Sequence, residues 1–409
     1  MITITIHRGT HQIGGCGTEL RTEKSRIFID LGTELPQPDG TQAAETLSIP
    51  GLTEGKPDCD GVFFTHYHGD HIGNIHRILP EIPIYMGQAA QKISRILNEH
   101  LQKAYLSHPE GFSDRNSHIQ ALNRVRTFAD GQKMKIGDIQ ITPCRVDHSA
   151  FDSYFFLIEA GEVRVLHTGD FRDHGYTGPM LADTLAEIGH ADVLICEGTM
   201  LTRTGEAVMT EQELEEKARR IMNRHRNVFV LCSSTNIDRI RAFYQAKNRS
   251  DPPARPAVCD LYQKVILNAA EEFSPIKGSA YRFDWIVPDA DWNTKLHKWM
   301  RDNGFVMFVR ANDRFRRIME PYRGNCKVIY SMWNGYLQRP EMASFLDGYD
   351  WEALHTSGHA DRETIRALIE TVQPKAIIPL HTEAPEAFLE LAGNAEVLLT
   401  KDKETIRYE

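Results

Sequence analysis

Thr65-His66-Tyr67-His68-Gly69-Asp70-His71-Ile72-Gly73-Asn74 is the stretch from which the rest of the chain can be read. The apolar run Gly61 to Phe64 precedes it and stops at a polar turn, the pattern of a buried strand that delivers the motif to a surface. In an extended segment side chains repeat every second residue, so His66 and His68 face the same way and two imidazoles can meet one ion. Asp70 and His71 follow, where the chain is expected to turn into a helix near Gly73, and they reach toward a neighbouring ion. Imidazole and carboxylate suit zinc and similar divalent metals, and a site with an open position makes a nucleophile of bound water. A single histidine after a strand is usually an ordinary loop residue. Four ligand-type residues so close together are not, because each would otherwise need its own partner.

Composition narrows the alternatives. A chain of 409 residues can hold two domains, or one large domain with an insertion. Its formal charge of -9 argues against non-specific nucleic-acid binding by the whole surface and leaves room only for a local basic groove. With 41% hydrophobic and 25% charged residues it reads as a soluble globular protein, and no apolar run has the length of a membrane span. The start, Met1 to Arg8, alternates like a strand and lacks the basic-then-apolar layout of a signal peptide. Cys16, Cys59, Cys144, Cys196, Cys232, Cys259 and Cys326 are scattered without a Cys-x-x-Cys, as expected of buried reduced thiols in a cytoplasmic protein.

Several histidines and acids stand at the polar exits of apolar runs. Ile2 to Ile6 reads as an opening strand. Gly9, Gly14, Gly15 and Gly17 then read as a tight hairpin, since no Gly-Lys-Ser/Thr follows to make a nucleotide loop. Ser25 to Leu31 is a further strand, and Asp30 at its end either orients a metal-bound histidine or water from the second shell or is a plain strand-end acid. Ile82 to Met86 reads as a strand, Gln88 to Tyr105 as a helix and Ser107 to Asn116 as a surface loop. His148 follows Ile139 to Pro143 and is the third ligand expected for the first ion. Tyr154 to Glu159 and Val163 to His167 form a hairpin ending in Thr168-Gly169-Asp170, and Val193 to Cys196 is capped by Glu197. From about 200 to 345 strands and helices alternate, which argues for a parallel α/β layout and an inserted domain, with Asp251 to Pro256 a rigid local loop. His355, Ser357 and His359 precede a helix from about Arg362 to Thr371. The strand Ala376 to Leu380 then ends in His381.

The His-x-His-x-Asp-His pattern of residues 66–71 matches the signature of the metallo-β-lactamase superfamily. Together with the later motifs it resembles the β-CASP branch, ribonuclease J most closely, over nearly the whole chain. That resemblance implies an α/β fold: a metallo-β-lactamase αββα sandwich formed by residues 1–199 and 346–409, with an inserted α/β β-CASP domain at 200–345. It implies two divalent ions, zinc or manganese, one on His66, His68 and His148 and the other on Asp70, His71 and His381, with Asp170 bridging them. Asp70, Asp170, Glu197 and His359 are then the catalytic set; His359 holds the scissile phosphate or protonates the leaving oxygen, and Glu197 orients it. A histidine at 381 resembles the RNA-processing members. Ser233, Ser234, Asn236 and Arg239 resemble the turn that contacts RNA, and with His355 and Ser357 they could form a pocket for a 5′-phosphate, although N-capping explains the serines equally well. Arg310, Arg314, Arg316, Arg317 and Arg323 make either a positive surface or a solvated face.

The implied activity is hydrolysis of RNA phosphodiester bonds by a hydroxide held between two metal ions, as a 5′-to-3′ exonuclease with or without endonuclease activity. Hydrolysis of a small ester or nucleotide and a non-catalytic RNA-binding role are the alternatives. The implied partners are RNA, no membrane and, as an open option, further copies of the chain in a homo-oligomer. Because the chain stops soon after His381, the extra C-terminal domain of many ribonucleases J is expected to be missing.

Overall fold

The computed structural model describes residues 1–36, 47–106, 109–203, 208–251, 255–274, 281–289 and 294–409. Among these, three sheets organise the chain. The first runs, in spatial order, Thr405–Tyr408, Ile2–Arg8, Gly17–Arg21, Arg26–Ile29, Gly61–Phe63, Ile84–Gly87 and Arg126–Phe128. The second runs Glu396–Val397, Ala376–Leu380, Val193–Glu197, Val163–His167, Ser153–Ala160, Ile139–Val146 and Met134–Ile136.

Period-two alternation decides how these two sheets meet. Ile2, Ile4, Ile6, Ile27, Ile29 and Phe63 from the first pack with Ile139, Ile141, Phe156, Ile158, Val165 and Ile195 from the second in one apolar cluster. The opposite faces carry helices. Phe28, Val62, Phe64, Ile84 and Met86 pack on Ala89, Ala90 and Ile93 of the helix Gln88–Ala104. Phe155, Leu157 and Leu166 pack with Leu181 and Leu185 of Leu181–Ile188 and with Ile365 and Leu368 of Arg362–Val372. Helix, sheet, sheet, helix is the αββα sandwich expected from the motif.

The third sheet is parallel throughout, in the order Ile286–Asp289, Ala257–Asp260, Phe305–Val309, Asn227–Cys232, Lys327–Ser331 and Asp350–Ala353. Continuous apolar runs such as Phe305-Val306-Met307-Phe308-Val309 are buried on both faces, as a helix-covered parallel sheet requires. Its last strand, Asp350–Ala353, lies beyond residue 345, the expected end of the insertion, because it pairs with Lys327–Ser331. No helix among the described residues is long and apolar enough to cross a membrane. The seven cysteines are unpaired.

Three local expectations differ from what is found. His66 and His68 sit in the loop after the strand Gly61–Phe63 rather than in a strand, and the helix begins at Gly69, four residues early, so Asp70 and His71 lie in its first turn. The segment 109–116, read as loop, is the start of the helix Pro109–Asn123, because Ala121 and Leu122 bury against the first sheet's helix layer; residues 107 and 108 lie outside the described set. Of the loop Asp251 to Pro256, residues 252–254 also lie outside it.

The glycine-rich stretch joins the antiparallel strands Ile2–Arg8 and Gly17–Arg21 as a hairpin, through an eight-residue connection rather than a tight turn, and two glycines, Gly14 in that connection and Gly32 after the strand Arg26–Ile29, approach the motif. Gly32 passes so close to the motif turn that a Cβ there would stand 1.6 Å from the Asp70 carbonyl oxygen. Gly14, at φ +84°, leans on the Asp70 side chain.

Candidate metal centre

Loops from the strand ends of both sandwich sheets deliver the histidines and acids to one place. The ligand atoms of His66, His68, His148 and Asp170 all lie within 4.8 Å of one another. His148 Nε2 is 3.2 Å from His68 Nδ1, and Asp170 Oδ2 is 3.7 Å from His66 Nε2 and 3.8 Å from His148 Nε2. On its other side the same Oδ2 is 3.1 Å from His71 Nε2 and 3.8 Å from His381 Nε2. Asp70 Oδ2 stands 3.1 Å from His381 Nε2 and 4.0 Å from His71 Nε2. One carboxylate oxygen of Asp170 thus lies between two sets of imidazoles, and the seven side chains converge.

The outer nitrogens of four of these rings are spoken for. His71 Nδ1 donates to Asp30 Oδ2 at 2.8 Å, and Asp30 also accepts from the Thr65 amide and hydroxyl. His66 Nδ1 donates to Thr65 Oγ1, His381 Nδ1 to Thr199 Oγ1 and His148 Nδ1 to the Gly358 carbonyl. Such outer bonds fix the tautomer and leave the inner nitrogen with a lone pair. The inner atoms His66 Nε2, His71 Nε2 and Asp170 Oδ1 are buried and have no hydrogen-bond partner. Buried polar atoms rarely go unpaired. Orphaned lone pairs that face one another suit a divalent cation, so the residues fit the group that the motif implies.

Charge agrees. Burial, then the neighbouring histidines, hold His66 and His148 well below their ordinary pKa, and burial takes His68 to about 4, so these three are neutral, the ligand form of imidazole. At His71 burial is outweighed by Asp170 and Asp30, which raise it well above its ordinary value. At Asp170 burial is outweighed by His381, His71 and His359, which lower it. That half of the site is short of positive charge, and a proton on His71 supplies what a cation would. Asp30 and His381 hold left-handed backbone, φ 60° and 53°, a strain of the kind kept at functional sites.

Glu197 and His359 close the site. Glu197 is fully buried and accepts from the Phe171 amide and from His359 Nδ1 at 3.0 Å. Burial of His359 is outweighed by Glu197 and Asp170, which raise its pKa. Ser357 Oγ accepts from the His359 amide, so it shapes this turn.

The residues expected to touch RNA fare differently. Arg239 is fully buried. Its guanidinium bonds Glu211 Oε2 at 3.0 Å, Ser331 Oγ at 2.7 Å, the Thr356 carbonyl at 3.0 Å and His355 Nδ1 at 3.0 Å. Burial, then Arg239, push His355 down to about 3. Asn236 caps the helix Ile237–Asn248, and the buried Ser234 accepts from Arg310. Ser233 is exposed. The arginine cluster is largely paired on the spot: Arg310 with Asp260, Arg314 with Asp289, Arg323 with Glu320, while Arg317 faces solvent.

Sequence reasoning missed three features. Cys16, at the end of the glycine-rich hairpin, lies within 4.8 Å of the ligand atoms of His71 and His381. Thr65 and Thr199 orient histidines, with only their adjacency to motif residues as a signal. Arg172, two residues after Asp170, is buried and bonds Asp147, Glu211, Asp238 and the Ser357 carbonyl, tying the sandwich loops to the helices beside the third sheet.

Comparison with known proteins agrees with this geometry. The profile of the Zn-dependent metallo-hydrolase RNA specificity domain matches residues 351–396, which contain His359 and His381, and the family's divalent-metal use agrees with the histidine and aspartate cluster. Ribonuclease J of Sinorhizobium meliloti is 23% identical over 382 residues, covering 88% of this chain and 64% of its own length. Ribonuclease J of Helicobacter pylori strain 26695 is 23% identical over 415 residues, covering 93% and 56%. That of Mycoplasma genitalium is 21% identical over 400 residues, covering 92% and 67%. The chain therefore spans between about half and two thirds of the length of these curated relatives. A crystal structure of a protein of unknown function from Enterococcus faecalis V583 superposes over 99% of both chains with a TM-score of 0.78 at 21% identity, which shows a shared fold. The resemblance read from the motif, to the metallo-β-lactamase superfamily and its ribonuclease J-like members, is met. The profile of the β-lactamase superfamily domain matches residues 25–230, half of the chain with the His66-to-His71 motif inside it, and the chain belongs to that superfamily.

Proposed function

We propose that this chain is a metal-dependent ribonuclease that hydrolyses RNA phosphodiester bonds with two divalent ions, zinc or manganese, working from the 5′ end and cutting internally as a second mode. The observation that carries the reading is Asp170 Oδ2, set between two groups of histidines in each of which one buried inner nitrogen, His66 Nε2 or His71 Nε2, lacks a hydrogen-bond partner. The RNA specificity match over residues 351–396 and the ribonuclease J relatives support the choice of substrate.

His66, His68 and His148 would hold one ion and Asp70, His71 and His381 the other, with Asp170 between them. Bound there, such ions supply Lewis acidity toward a phosphate and lower the pKa of water to about 7. Asp30 keeps His71 in one tautomer, and Thr65, Thr199 and the Gly358 carbonyl do the same for His66, His381 and His148. Glu197 keeps His359 oriented and raises its pKa, so that His359 can bind the scissile phosphate or protonate the leaving oxygen.

We take residues 1–199 and 354–409 as the catalytic domain and 200–353 as the insertion that covers it, eight residues longer than the sequence suggests, since the strand Asp350–Ala353 pairs with Lys327–Ser331 in the third sheet. Cys232 and Ser331 end neighbouring parallel strands of the third sheet, and Arg239 ties Ser331 to the Thr356 carbonyl, three residues before His359. The carboxyl ends of that sheet therefore neighbour the metal centre, where open α/β sheets place their ligands. Ser233, exposed at one such end, is the residue of that turn left to meet a strand of RNA.

The purified chain with Mn²⁺ or Zn²⁺ should release mononucleotides from 5′-monophosphorylated RNA and leave matched DNA intact. His68→Ala should abolish that turnover, while in EDTA its melting temperature should match that of the equally stripped wild type. Hydrolysis of a small phosphodiester alone, or full activity in His68→Ala, would overturn the reading.

A further inference from the structure

A second group of ligand-type side chains stands apart from this centre. His76 lies in the short turn Ile75–Arg77 that follows the Asp70-His71 motif. Asp114 and His118 lie one turn apart on the helix Pro109–Asn123, so both side chains leave the same helix face toward that turn. Asp114 Oδ1 is 3.8 Å from His76 Nε2 and 3.7 Å from His118 Nδ1, and the three ligand atoms all lie within 4.8 Å of one another. The two imidazole rings are 4.1 Å apart, centre to centre.

The hydrogen bonds around His118 make a demand that a neutral ring cannot meet. His118 is buried, Nε2 is 2.9 Å from the Gly73 carbonyl and Nδ1 is 2.9 Å from the Asp114 carbonyl. Both partners are acceptors only, and a neutral imidazole has one N–H. If Nε2–H donates to Gly73, the usual outer bond of a ligating histidine, the Nδ1 lone pair is turned toward the Asp114 backbone and carboxylate; the 2.9 Å gap to the carbonyl fits a proton, and a metal ion is taken up when the ring turns from the carbonyl toward Asp114 Oδ1. His76 turns Nε2 toward Asp114 Oδ1 and leaves its outer nitrogen Nδ1 without a partner, and burial, then His118, lower that ring to about 4, so it is neutral. Asp114 is partly exposed, with Oδ2 paired to Arg115 and Oδ1 aimed at both imidazoles. Two imidazoles and one carboxylate, with solvent able to fill a fourth position, are a ligand set for zinc-like ions.

We propose that His76, Asp114 and His118 form a further divalent-metal site, separate from the Asp170 centre, that takes zinc or a similar transition ion. It clamps the helix Pro109–Asn123 to the turn behind Asp70 and His71. Through the bond from His118 to Gly73 the clamp bears on the end of the short helix Gly69–Ile72, which carries two residues of the main centre. Its existence does not depend on the ribonuclease reading.

The test is a metal count. The full chain is stripped with EDTA, reloaded with Zn²⁺ and weighed by native mass spectrometry, alongside His76→Ala, Asp114→Asn and His68→Ala. Wild type should carry one equivalent more than either His76→Ala or Asp114→Asn, and Zn²⁺ should raise its melting temperature further than theirs. His68→Ala should lose metal from the main centre and keep the extra equivalent, so failure of the main site and failure of this one read differently. Asp114→Asn is nearly isosteric on a partly exposed helix face; equal melting temperatures in EDTA confirm that loss of metal is not loss of fold. Wild-type stoichiometry in both His76→Ala and Asp114→Asn would overturn the proposal. So would a doubly protonated His118 ring in the nitrogen NMR spectrum of the zinc-loaded protein, which would assign the cation to a proton.

Discussion

Arg239→Met separates two readings of the turn after the strand Asn227–Cys232. If Arg239 touches RNA, the change weakens binding and spares stability. The structure leads to the opposite expectation. Glu211 is fully buried and keeps its charge because Arg239, and after it Arg172, outweigh the cost of burial and lower its pKa from 4.5 to about 2. At about 1.4 kcal/mol per pH unit, that displacement is worth roughly 3 kcal/mol. Removing one partner of a buried ion pair typically costs about 3–5 kcal/mol, because the carboxylate left behind is uncompensated. Part of Glu211's compensation survives on Arg172, while the Arg239 bonds to Ser331 and Thr356 are lost as well. We expect a loss of about 3 kcal/mol in urea unfolding at pH 7.

The sign with pH follows from a depressed carboxylate. The stabilisation is fully present above the ordinary value of 4.5 and is lost as pH falls toward about 2. Arg239→Met should therefore flatten the acid limb of stability across that window. Below the variant's melting temperature, RNA affinity should change by less than about twofold, given that the side chain has no exposed donor. A variant as stable as wild type that binds RNA tenfold more weakly would refute the argument.

Other perturbations are as direct. Asp30→Asn suits the left-handed backbone at that position, which asparagine tolerates, yet it removes the carboxylate that orients His71; metal affinity, read by chelator competition, should fall about 10- to 100-fold with little change in fold. Glu197→Gln keeps an acceptor for the Phe171 amide but removes the charge facing His359. Its kcat on RNA should fall by about 10²-fold or more with KM little changed, whereas a purely structural role would lower the melting temperature instead. Chelation of wild type should abolish turnover and lower the melting temperature, and Mn²⁺ or Zn²⁺ should restore both; activity that survives exhaustive EDTA dialysis would count against metal dependence.

The strands and the cation-binding end were legible because their signals are short-range: side chains alternate along a strand, and ligand-type residues collect where an apolar run stops; the sandwich that the strands build was implied by the family resemblance of the His66-to-His71 motif. His66, His68, His148, Asp170 and His381 each sit at such an exit, so one residue's neighbours announced it, and the structure brings all of them together. Charged residues away from strand ends carry no such label. Arg239 has the composition of a surface donor, and only partners 28, 92 and 117 positions away turn it into an internal strut. The same holds for the helix Pro109–Asn123, whose polar sequence becomes helical by packing, and for the Asp114 and His118 pair that it aims at His76. Sequence alone could determine which residue types are available and the local period that presents them. Whether a charge meets solvent, a cation or another side chain is decided by the tertiary structure, because the cost of desolvating it depends on what the distant parts of the chain bring to it.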